Sequence, residues 1–443
     1  MRVAPPPDYH DLITTIPSER FVEILQTGSG EDGTEYIHWD RLRHKTPPDG
    51  LSREEWWFLI KWGRHRLLRP VPLTDALGEH FSYCIPDVVF RLLHYVDQRC
   101  SGEIAMPEVV TADDQARQHY LVNSLMEEAI RSSQLEGATT SRREAKDLLR
   151  SGREPKDRSE RMILNNYRGL QFMREMGDTL TPDSVLELHR ILTEATLDDP
   201  DAAGRLQVPG DNRVGVFDRN DGRLLHAPPP AEQLPERLQS LCDFANEGDD
   251  SEQFVHPVVR AIVLHFWLAY DHPFEDGNGR TARALFYWYM RTHRYWLVEY
   301  LSISRILRNA PAKYSKAFVL TETDDRDITY FLVYQLEVIQ RAIGELHDYL
   351  HRKVKEVRDV EHLMKRSDAF NRRQLALLGY AMRMPDETFT FRSHAQSHGV
   401  THETARNDLA PLVARGLLNR RRVGGKYFFD APANLPDLLK PGS

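Results

Sequence analysis

Cysteine is scarce in this chain: Cys84, Cys100 and Cys242 are the three cysteines among 443 residues. So small and odd a set, without the spacing of a zinc site, excludes a disulfide-rich secreted scaffold and a cysteine-based metal centre. No apolar run approaches the length of a membrane span, and the first thirty residues, with prolines at 5–7, lack the apolar core of a signal peptide. We therefore expect a cytoplasmic protein without a membrane partner.

An excess of positive charge over the whole chain is also missing. There are 58 Lys and Arg against 66 Asp and Glu, which gives a formal net charge of −8, and 41% of the residues are hydrophobic. This is an ordinary balance for a globular protein, and it gives no whole-chain argument for binding nucleic acid. The length predicts roughly two to four domains.

Three regions differ in their sequence pattern. Residues 1–110 are rich in aromatic residues and contain a predicted helix whose packed face includes Trp57 and Trp62, but they indicate no chemistry. Residues 111–350 have helical periodicity almost throughout, apart from a predicted β-hairpin at 213–227. Residues 365–430 alternate short helices and strands. We therefore expect a mainly α protein with three domains.

The most informative segment is 272–283, His-Pro-Phe-Glu-Asp-Gly-Asn-Gly-Arg-Thr-Ala-Arg. The imidazole of His272 can accept a proton near neutral pH, and Asp276 supplies the hard oxygen that Mg²⁺ prefers. Gly277 and Gly279 are expected to let successive amide N–H groups point into one concavity at the start of a helix, where the dipole favours phosphate.

Three further side chains complete this pattern. Asn278 lies between the glycines as an additional donor, and Arg280 and Arg283 share one face of the first helical turn, where they can hold phosphate oxygens. Each residue type alone is common in a surface turn. Together they meet the requirements of a site for nucleotide-phosphate transfer.

The segment matches, position by position, the signature His-x-Phe-x-Asp/Glu-Gly-Asn-Gly-Arg-x-x-Arg, so the chain resembles the Fic family, most of whose members move AMP from ATP onto a hydroxyl of a target protein. The resemblance implies that His272 is the general base, that Phe274 anchors the loop in the core and that Asp276 holds Mg²⁺. The other nucleotide-binding residues that it implies are Glu275, Gly277, Asn278, Gly279, Arg280 and Arg283. A kinase-like relative has Lys where this chain has Gly279, so the glycine favours nucleotidyl transfer.

A second signature lies upstream, at 132–137. Residues 115–135 form a predicted amphipathic helix with Gly137 as its C-terminal cap, and a glutamate at that end is locally unfavourable because the helix dipole is negative there. The segment from Ser132 to Gly137 resembles the inhibitory motif of the same family, Ser/Thr-x-x-x-Glu-Gly/Asn. The resemblance implies that Glu136 pairs with Arg283 and holds ATP in an unproductive pose, which makes 115–137 an inhibitory helix.

The hairpin at 213–227 corresponds to a flap in that family. An exposed edge strand can bind a peptide through main-chain hydrogen bonds, and the resemblance implies that Val214, Gly215 and Val216 position the target hydroxyl. Relatives often show Gly-x-x-Arg before the flap, whereas residues 204–207 here are Gly-Arg-Leu-Gln. Another departure is Asp271, whose carboxylate would raise the pKa of His272 if it faced that ring and would do nothing if it faced solvent.

The C-terminal region resembles a winged helix-turn-helix. Its predicted elements are a helix around 375–378, a strand at 389–392, helices at 393–398 and 401–417, and two strands about a glycine turn at 424–425. Between residues 366 and 430 there are 11 Lys and Arg against 6 Asp and Glu. Double-stranded DNA is therefore a candidate partner, and a protein-binding or dimerising module is the alternative. The candidate DNA contacts are Arg406, Arg420, Arg421, Arg422 and Lys426.

The prediction that follows is a protein adenylyltransferase that uses Mg²⁺ and ATP, modifies a Ser, Thr or Tyr hydroxyl of a protein or of itself, and is inhibited by Glu136. The alternative of another class is a DNA-binding regulator whose nucleotide site senses without reacting. Removal of AMP, with Glu136 orienting a water, and transfer of UMP or GMP are alternatives within the enzyme class. A second copy of the chain is a further candidate partner.

Overall fold

The structure is a computed structural model, and it describes residues 3–28, 31, 33–101, 114–211, 213, 215–217, 222, 224–248, 253–365, 369–383, 387–423 and 426–439. It is mainly helical, which confirms the predicted fold class. The chain divides into two compact units, of which the first comprises Met1–Ile104 and Ser124–Ile343 and the second comprises Ala105–Asn123 and Gly344–Ser443. No helix in the described ranges is long and apolar enough to cross a bilayer.

Across residues 3–28, 31 and 33–101, the N-terminal part of the first unit has five helices and one antiparallel pair of strands. Their bounds are α1 Tyr9–Thr15, α2 Ser18–Gln26, α3 Trp39–Leu42, α4 Arg53–His65, β1 Arg69–Thr74, β2 His80–Tyr83 and α5 Asp87–Cys100. Ser52 begins α4 with a capping box, in which its side chain and that of Glu55 satisfy each other's backbone N–H groups. Trp57 is buried and Trp62 packs against a neighbouring apolar cluster, as the sequence predicts.

Buried polar contacts join this N-terminal part to the rest of the first unit. The Lys61 ammonium lies 2.8 Å from the Asp324 carboxylate, and the Arg64 guanidinium donates to the Tyr330 hydroxyl at 2.7 Å. The first compact unit contains residues from both sides of the predicted boundary near residue 110. Pairing offsets the cost of burying such charges, so these contacts fix the register of the two regions.

The helices that follow build the core around the 272–283 segment. Their bounds are α6 Asp114–Leu135, α7 Arg142–Ser151, α8 Arg158–Glu175, α9 Pro182–Thr193, α10 Leu234–Asn246, α11 Pro257–Asp271, α12 Asn278–Thr292, α13 Ile303–Asn309, α14 Pro311–Thr323 and α15 Thr329–Lys365. Thr181 caps α9 ahead of a first-turn proline, as predicted. Helices α11 and α12 are buried on nearly all sides and form the centre of the unit.

The predicted hairpin forms two short antiparallel strands, β3 Val216–Phe217 and β4 Leu224–His226. Val216 pairs with His226, and Phe217 pairs with Leu224. The predicted turn residues 218–221, Arg223 and Val214 lie outside the described residues.

In its described residues from 369 onward, the second unit contains a three-stranded antiparallel sheet in the order β5-β7-β6 with four helices around an apolar core. The bounds are α16 Arg372–Arg383, β5 Thr388–Phe389, α17 Phe391–His398, α18 His402–Ala414, β6 Asn419–Val423, β7 Lys426–Asp430 and α19 Leu435–Leu438. The element order agrees with the prediction. The predicted strand at 389–392 is too long, because Thr390 caps α17 in a capping box with Ser393. The predicted helix at 401–417 also ends early, at Ala414, before Gly416 in a left-handed conformation.

Candidate functional site

His272 ends helix α11 in an unusual backbone conformation. Its φ and ψ of 46° and 53° lie in the left-handed region, and its N–H still donates to the Leu268 carbonyl at 3.0 Å. The ring Nδ1 lies 3.3 Å from the Ala269 carbonyl oxygen. A carbonyl oxygen only accepts, so Nδ1 carries the ring proton and Nε2 is left with its lone pair. The turn therefore presents a neutral imidazole whose Nε2 can accept a proton.

The surroundings keep this imidazole neutral. Burial lowers the pKa of His272 from 6.5 to about 4, and the nearby His226 and Arg213 act in the same direction, while the carbonyl of Ala269 and the charge of Glu136 oppose the change. The ring is thus unprotonated at neutral pH, as a general base must be.

Asp271 faces neither His272 nor solvent, the two positions that the sequence left open. Its buried carboxylate lies 2.7 Å from the guanidinium of Arg237 and accepts from the Trp267 indole N–H at 2.9 Å. Burial raises the pKa of Asp271, and Arg237 opposes that change. The carboxylate therefore stabilises the end of α11, and it does not face His272 as it would need to in order to raise the pKa of that ring.

The loop between α11 and α12 is held by its own side chains. Phe274 is fully buried, as the resemblance implied. Asn278 accepts from the Phe274 N–H at 2.9 Å and donates to the Phe274 carbonyl at 2.8 Å. The sequence suggested Asn278 as a phosphate donor, but this side chain is buried and its oxygen and one N–H are occupied by the loop backbone. Its main role in the structure is to close the loop.

A residue that the sequence analysis missed, His189 on α9, lies beneath this loop. It accepts from the Gly204 N–H at Nδ1, at 3.0 Å, so its Nε2 carries the proton that it donates to the Asp276 carbonyl at 2.8 Å. Burial lowers its pKa to about 4, which keeps the ring neutral. Because its partners are 15 and 87 residues away in sequence, no local pattern could have identified it.

The two glycines of the segment have different roles, although the sequence predicted one role for both. Gly277 has φ of 85° and precedes the first residue of α12, where the free N–H groups of the first turn lie. Gly279 is an ordinary helical residue, and a Cβ there would overlap the carboxylate of Glu136. The small size of Gly279 therefore makes room for an acidic group at the start of α12, where an anion is favoured.

Asp276 is the one predicted metal ligand, and its carboxylate is accessible. About 40% of the side chain is exposed, one oxygen accepts from the Gly277 N–H at 2.5 Å, and the other lies 3.3 Å from the guanidinium of Arg280. Within the described ranges, no three His, Cys, Asp or Glu side chains group together as a metal site would require. A lone accessible carboxylate fits Mg²⁺, because that ion is commonly held by one or two carboxylates together with substrate phosphates and water.

Arg280 and Arg283 are both buried rather than exposed on the first turn. Arg280 donates to the Leu192 carbonyl at 2.8 Å, and burial lowers its pKa. Its Nε has no hydrogen-bond partner among the described atoms. Glu275 lies half-buried in the loop. The site thus holds two desolvated guanidiniums, and each has one nitrogen, Nε of Arg280 and Nη1 of Arg283, without a hydrogen-bond partner among the described atoms. Such a pair is suited to binding a phosphate group.

Glu136 and Arg283 are in contact. A carboxylate oxygen of Glu136 lies 2.8 Å from Arg283, and the same guanidinium donates to the Ser132 hydroxyl at 3.0 Å and to the Ser132 carbonyl at 3.2 Å. Gly137, with φ of 104°, ends the helix as predicted. The 132–137 segment and α12 are therefore brought together by two residues 147 positions apart in the sequence.

Other contacts hold the end of α6 in this position. Glu128 is buried and accepts from the Ser302 hydroxyl at 2.9 Å and from the Ser304 N–H at 3.1 Å, at the start of α13. Asn166 on α8 donates to the Ala129 carbonyl at 3.1 Å. Glu128 and Glu136 both lie near Arg283. The positive charge of this guanidinium is therefore balanced by one carboxylate on α6 and by another just after the end of that helix.

Arg213, which precedes the flap, binds the backbone just before the loop. It donates to the carbonyls of Asp271 at 2.8 Å, His272 at 3.0 Å and Pro229 at 2.9 Å, and also contacts the Gln207 side chain. The flap is thereby tied to the turn that carries the base. Of the predicted target-positioning residues, Gly215 and Val216 belong to this flap and Val214 lies outside the described residues.

In the second unit, four of the five predicted DNA contacts have described side chains, and these four are exposed. Arg406 lies on α18, and Arg420, Arg421 and Arg422 follow one another along β6. The guanidiniums of Arg420 and Arg422 lie 5.2 and 5.7 Å from the ring centre of Tyr427, whereas Arg421 lies 3.2 Å from the carboxylate of Asp430. The side chain of Lys426 lies outside the described residues.

The part of the chain that contains the 272–283 segment matches a known family. Residues 179–290 match the Fic/DOC family model. The chain is 33% identical over 160 residues to the protein adenylyltransferase fic-1 of Caenorhabditis elegans, a match that covers 34% of this chain and 28% of that protein. It is 35% identical over 112 residues to the protein adenylyltransferase Fic of Nematostella vectensis, covering 25% and 23%. The match thus spans less than a third of these relatives' length.

A solved structure supports the fold. A crystal structure of a Fic family protein from Desulfovibrio desulfuricans G20 superposes with a TM-score of 0.53 at 18% identity, covering 82% of this chain and 98% of that chain. This similarity is informative about the fold alone. It extends beyond residues 179–290 and so includes helices on both sides of the matched segment.

Proposed function

We propose that this chain, whose residues 179–290 match the Fic/DOC family model, is a protein adenylyltransferase that moves AMP from ATP to a hydroxyl group of a protein, itself included. The observation that carries the proposal is the state of His272. Its Nδ1 is bonded to the Ala269 carbonyl and its pKa is lowered to about 4, so Nε2 is a free base at neutral pH. A site that only bound a nucleotide would have no need of such a base.

The reaction follows from the groups around this base. The hydroxyl of a target Ser, Thr or Tyr gives its proton to Nε2 of His272 as its oxygen attacks the α-phosphorus of ATP. The bond from that phosphorus to the bridging oxygen of the β-phosphate breaks, and pyrophosphate leaves. The N–H groups at the start of α12, with Arg280 and Arg283 beside them, stabilise the charge on the phosphates.

Mg²⁺ held by Asp276 and by phosphate oxygens would supply further neutralisation of that charge. Asp276 is then the protein's own contribution to the metal site. The contacts of Asn278 and His189 fix the loop backbone at Phe274 and Asp276. The Asp276 carboxylate is therefore already in position when the substrate binds.

We further propose that Glu136 inhibits this reaction. Its carboxylate pairs with Arg283 and occupies the space beside Gly279, at the start of α12. A phosphate group cannot use the same guanidinium and the same N–H groups while the carboxylate is there. Release of Glu136 is then the step that permits productive binding of ATP.

Mass spectrometry tests the proposal directly. The intact protein and its Glu136→Gly variant are incubated with Mg²⁺ and each nucleoside triphosphate, and the mass gained is measured. We expect the mass of one or more AMP groups from ATP, and none in a Glu136→Gly, His272→Ala double variant. A matched control is His44→Ala in the same background, which changes an exposed histidine outside the site.

The other outcomes identify the alternatives. Addition of UMP or GMP would identify a different nucleotide substrate but the same nucleotidyl transfer reaction. Loss of AMP from the pre-modified protein, dependent on Glu136, would favour the removal reaction. Saturable nucleotide binding without any covalent product, from the chain alone or with cell protein, would favour a nucleotide-sensing regulator and contradict the enzyme.

Duplex DNA is a second candidate ligand, for the second unit. The observation that favours it is the exposed arrangement of Arg420 and Arg422, both beside Tyr427 on one face of β6. Two guanidiniums held by an aromatic ring form a cationic surface that suits the phosphate backbone. Arg421 points to Asp430 instead and should contribute little.

A further inference from the structure

His226 is the last residue of the flap strand β4, and it contacts two other elements. Its Nε2 lies 2.6 Å from the carbonyl oxygen of Tyr270, in the last turn of α11, and its Nδ1 lies 2.9 Å from a carboxylate oxygen of Glu322 on α14. The side chain is buried, with 7% exposed, and its ring lies 4.5 Å from that of Tyr270. One ring thus connects three separate segments of the chain.

The protons of this ring can be counted from its partners. A carbonyl oxygen has no proton to give, so Nε2 must donate to Tyr270. The bond to Glu322 then needs one more proton, either on Nδ1 of His226 or on the carboxyl. An imidazole binds a proton more tightly than a carboxylate does in water, and the Glu322 side chain keeps 23% of its surface exposed to water. The arrangement therefore favours an imidazolium beside a carboxylate.

We propose that His226 is a positioning residue for the transfer reaction: its doubly protonated ring fixes the flap against α14 and against the turn that carries His272. This inference rests on the proposed function. Tyr270 is two residues before His272, so the bond from Nε2 sets the distance between the flap and the base. A two-stranded hairpin is only marginally stable by itself, and a target bound along its edge could not otherwise be held in register with the base.

The charges around His226 are consistent with a cation at this point. Glu322 faces Nδ1, while Asp271 is neutralised by its own ion pair with Arg237. His272 is also near, and a positive His226 helps to keep it unprotonated. Fixing the flap and keeping the base free would thus depend on the same proton.

Two variants separate this role from simple packing. His226→Phe keeps a ring against Tyr270 but removes both donors. Glu322→Gln keeps a hydrogen-bond partner for Nδ1, because its amide can donate to an unprotonated nitrogen, but removes the negative charge. In the Glu136→Gly background, the initial rate of labelled AMP incorporation into the chain itself is measured against ATP concentration. We expect His226→Phe to lower the saturating rate roughly 10-fold to 100-fold, with the KM for ATP changed by less than about 3-fold. The His44→Ala control should match the background.

A spectrum of the ring provides a test independent of activity. In ¹⁵N-histidine-labelled full-length protein, the His226 signals are those absent from His226→Phe, or from His226→Gln if the phenylalanine variant fails to fold. We expect both ring nitrogens to have the shifts of an imidazolium at neutral pH. In Glu322→Gln, we expect a neutral ring with its proton on Nε2.

Each negative result would contradict a different part of the proposal. An unprotonated Nδ1 in the parent would place the proton on Glu322 and overturn the charged ring, whatever the activity. An unchanged saturating rate in a folded His226→Phe variant would overturn the positioning role. Absence of incorporation in the Glu136→Gly background itself would instead contradict the proposed function, and the positioning role would fall with it.

Discussion

The imidazole of His189 lies flat against the ring of Phe274, with the ring centroids 3.7 Å apart and the planes inclined by 6°. His189 also bridges the Gly204 N–H and the Asp276 carbonyl. A buried side chain on α9 therefore supports both the aromatic anchor of the loop and the backbone of the predicted metal ligand. The position of the loop thus depends on a residue whose two ring nitrogens both bond to backbone groups.

We predict that His189→Leu disrupts the loop. The leucine fills part of the space but leaves the Gly204 N–H and the Asp276 carbonyl without their partner, so we expect a loss of stability of about 2–4 kcal/mol. Displacement of the loop should also lower AMP incorporation by roughly 10-fold or more. Thermal unfolding and initial rates are measured together. His293→Leu removes a histidine stacked on Tyr289 at the far end of α12 and should lose less activity.

A second prediction concerns the pH dependence of transfer. Because the pKa of His272 is lowered to about 4, the fraction of the free protein with an unprotonated base should change little between about pH 5 and 7. We expect kcat/KM in the Glu136→Gly background to be correspondingly flat, with its acidic limb near the lowered pKa. A half-maximal value near pH 6.5 would contradict the buried, neutral base.

Stability must be measured across the same range, because the same shift has a thermodynamic consequence. The folded-state pKa of His272 is below the unfolded value of about 6.5, so the unfolded chain takes up the proton first on acidification. The contribution of this group to folding is complete above about pH 6.5 and is lost as the pH falls toward 4. Replacement by Gln should therefore make unfolding less sensitive to pH within that window.

A third prediction concerns Asp276. Asp276→Ala should raise the Mg²⁺ concentration needed for ATP binding, because the phosphates would lose the carboxylate that holds their cation. Asp276→Asn is the informative control: its oxygen can still accept from the Gly277 N–H, so stability should be near that of the parent while the metal requirement rises as in the alanine variant. Calorimetry with ATP at several Mg²⁺ concentrations measures both, and an unchanged metal dependence would reject the assignment.

A fourth prediction concerns the cationic face of β6. Arg420→Ala with Arg422→Ala should weaken binding to a random duplex and reduce the slope of log affinity against log salt by roughly two, one for each lost phosphate contact. Arg421→Ala should change little, because that guanidinium pairs with Asp430. Fluorescence anisotropy at low salt provides the measurement. If the parent chain binds no duplex, the second unit is better assigned to binding protein.

Local sequence signals predicted the elements that carry the site. Thr181 with a following proline, the glycine at 137 and the spacing of apolar residues depend on contacts within a few positions, and these elements formed as expected. The flap also formed where apolar pairs flank a polar turn. The segment 272–283 could be assigned a chemistry because its residue types are informative when they are adjacent.

Residues that act across long sequence separations could not be predicted in this way. His189 contacts Asp276, which is 87 positions away in the sequence, and Asp271 contacts Arg237, which is 34 positions away. The sequence suggested that the Asp271 carboxylate faces either His272 or solvent, and the structure shows neither. Gly279 shows a related limit. Its residue type suggested backbone freedom, whereas the fold uses the missing side chain to admit Glu136. Tertiary packing decides such roles, and a single sequence contains no signal of it.

The last prediction concerns Glu136 and Arg283, whose side chains lie 2.8 Å apart. Glu136→Gly should increase AMP incorporation, on the order of 10-fold or more, because the freed guanidinium can hold the γ-phosphate and keep the α-phosphorus in line for attack. An increase in activity is an uncommon result of a change at an active site, since most substitutions there only remove interactions.

The double variant Glu136→Gly with Arg283→Ala should lose that increase, because the residue that the glutamate occupied would be gone. Initial rates for the four proteins form a double-mutant cycle whose coupling has a specified sign. Glu127→Gly is a control: this glutamate lies on α6, which ends just before Glu136, but pairs with Arg131 and Arg142. If Glu136→Gly is no faster than the parent, or if its gain survives the loss of Arg283, then the ion pair does not restrain the enzyme and Glu136 must act by other contacts.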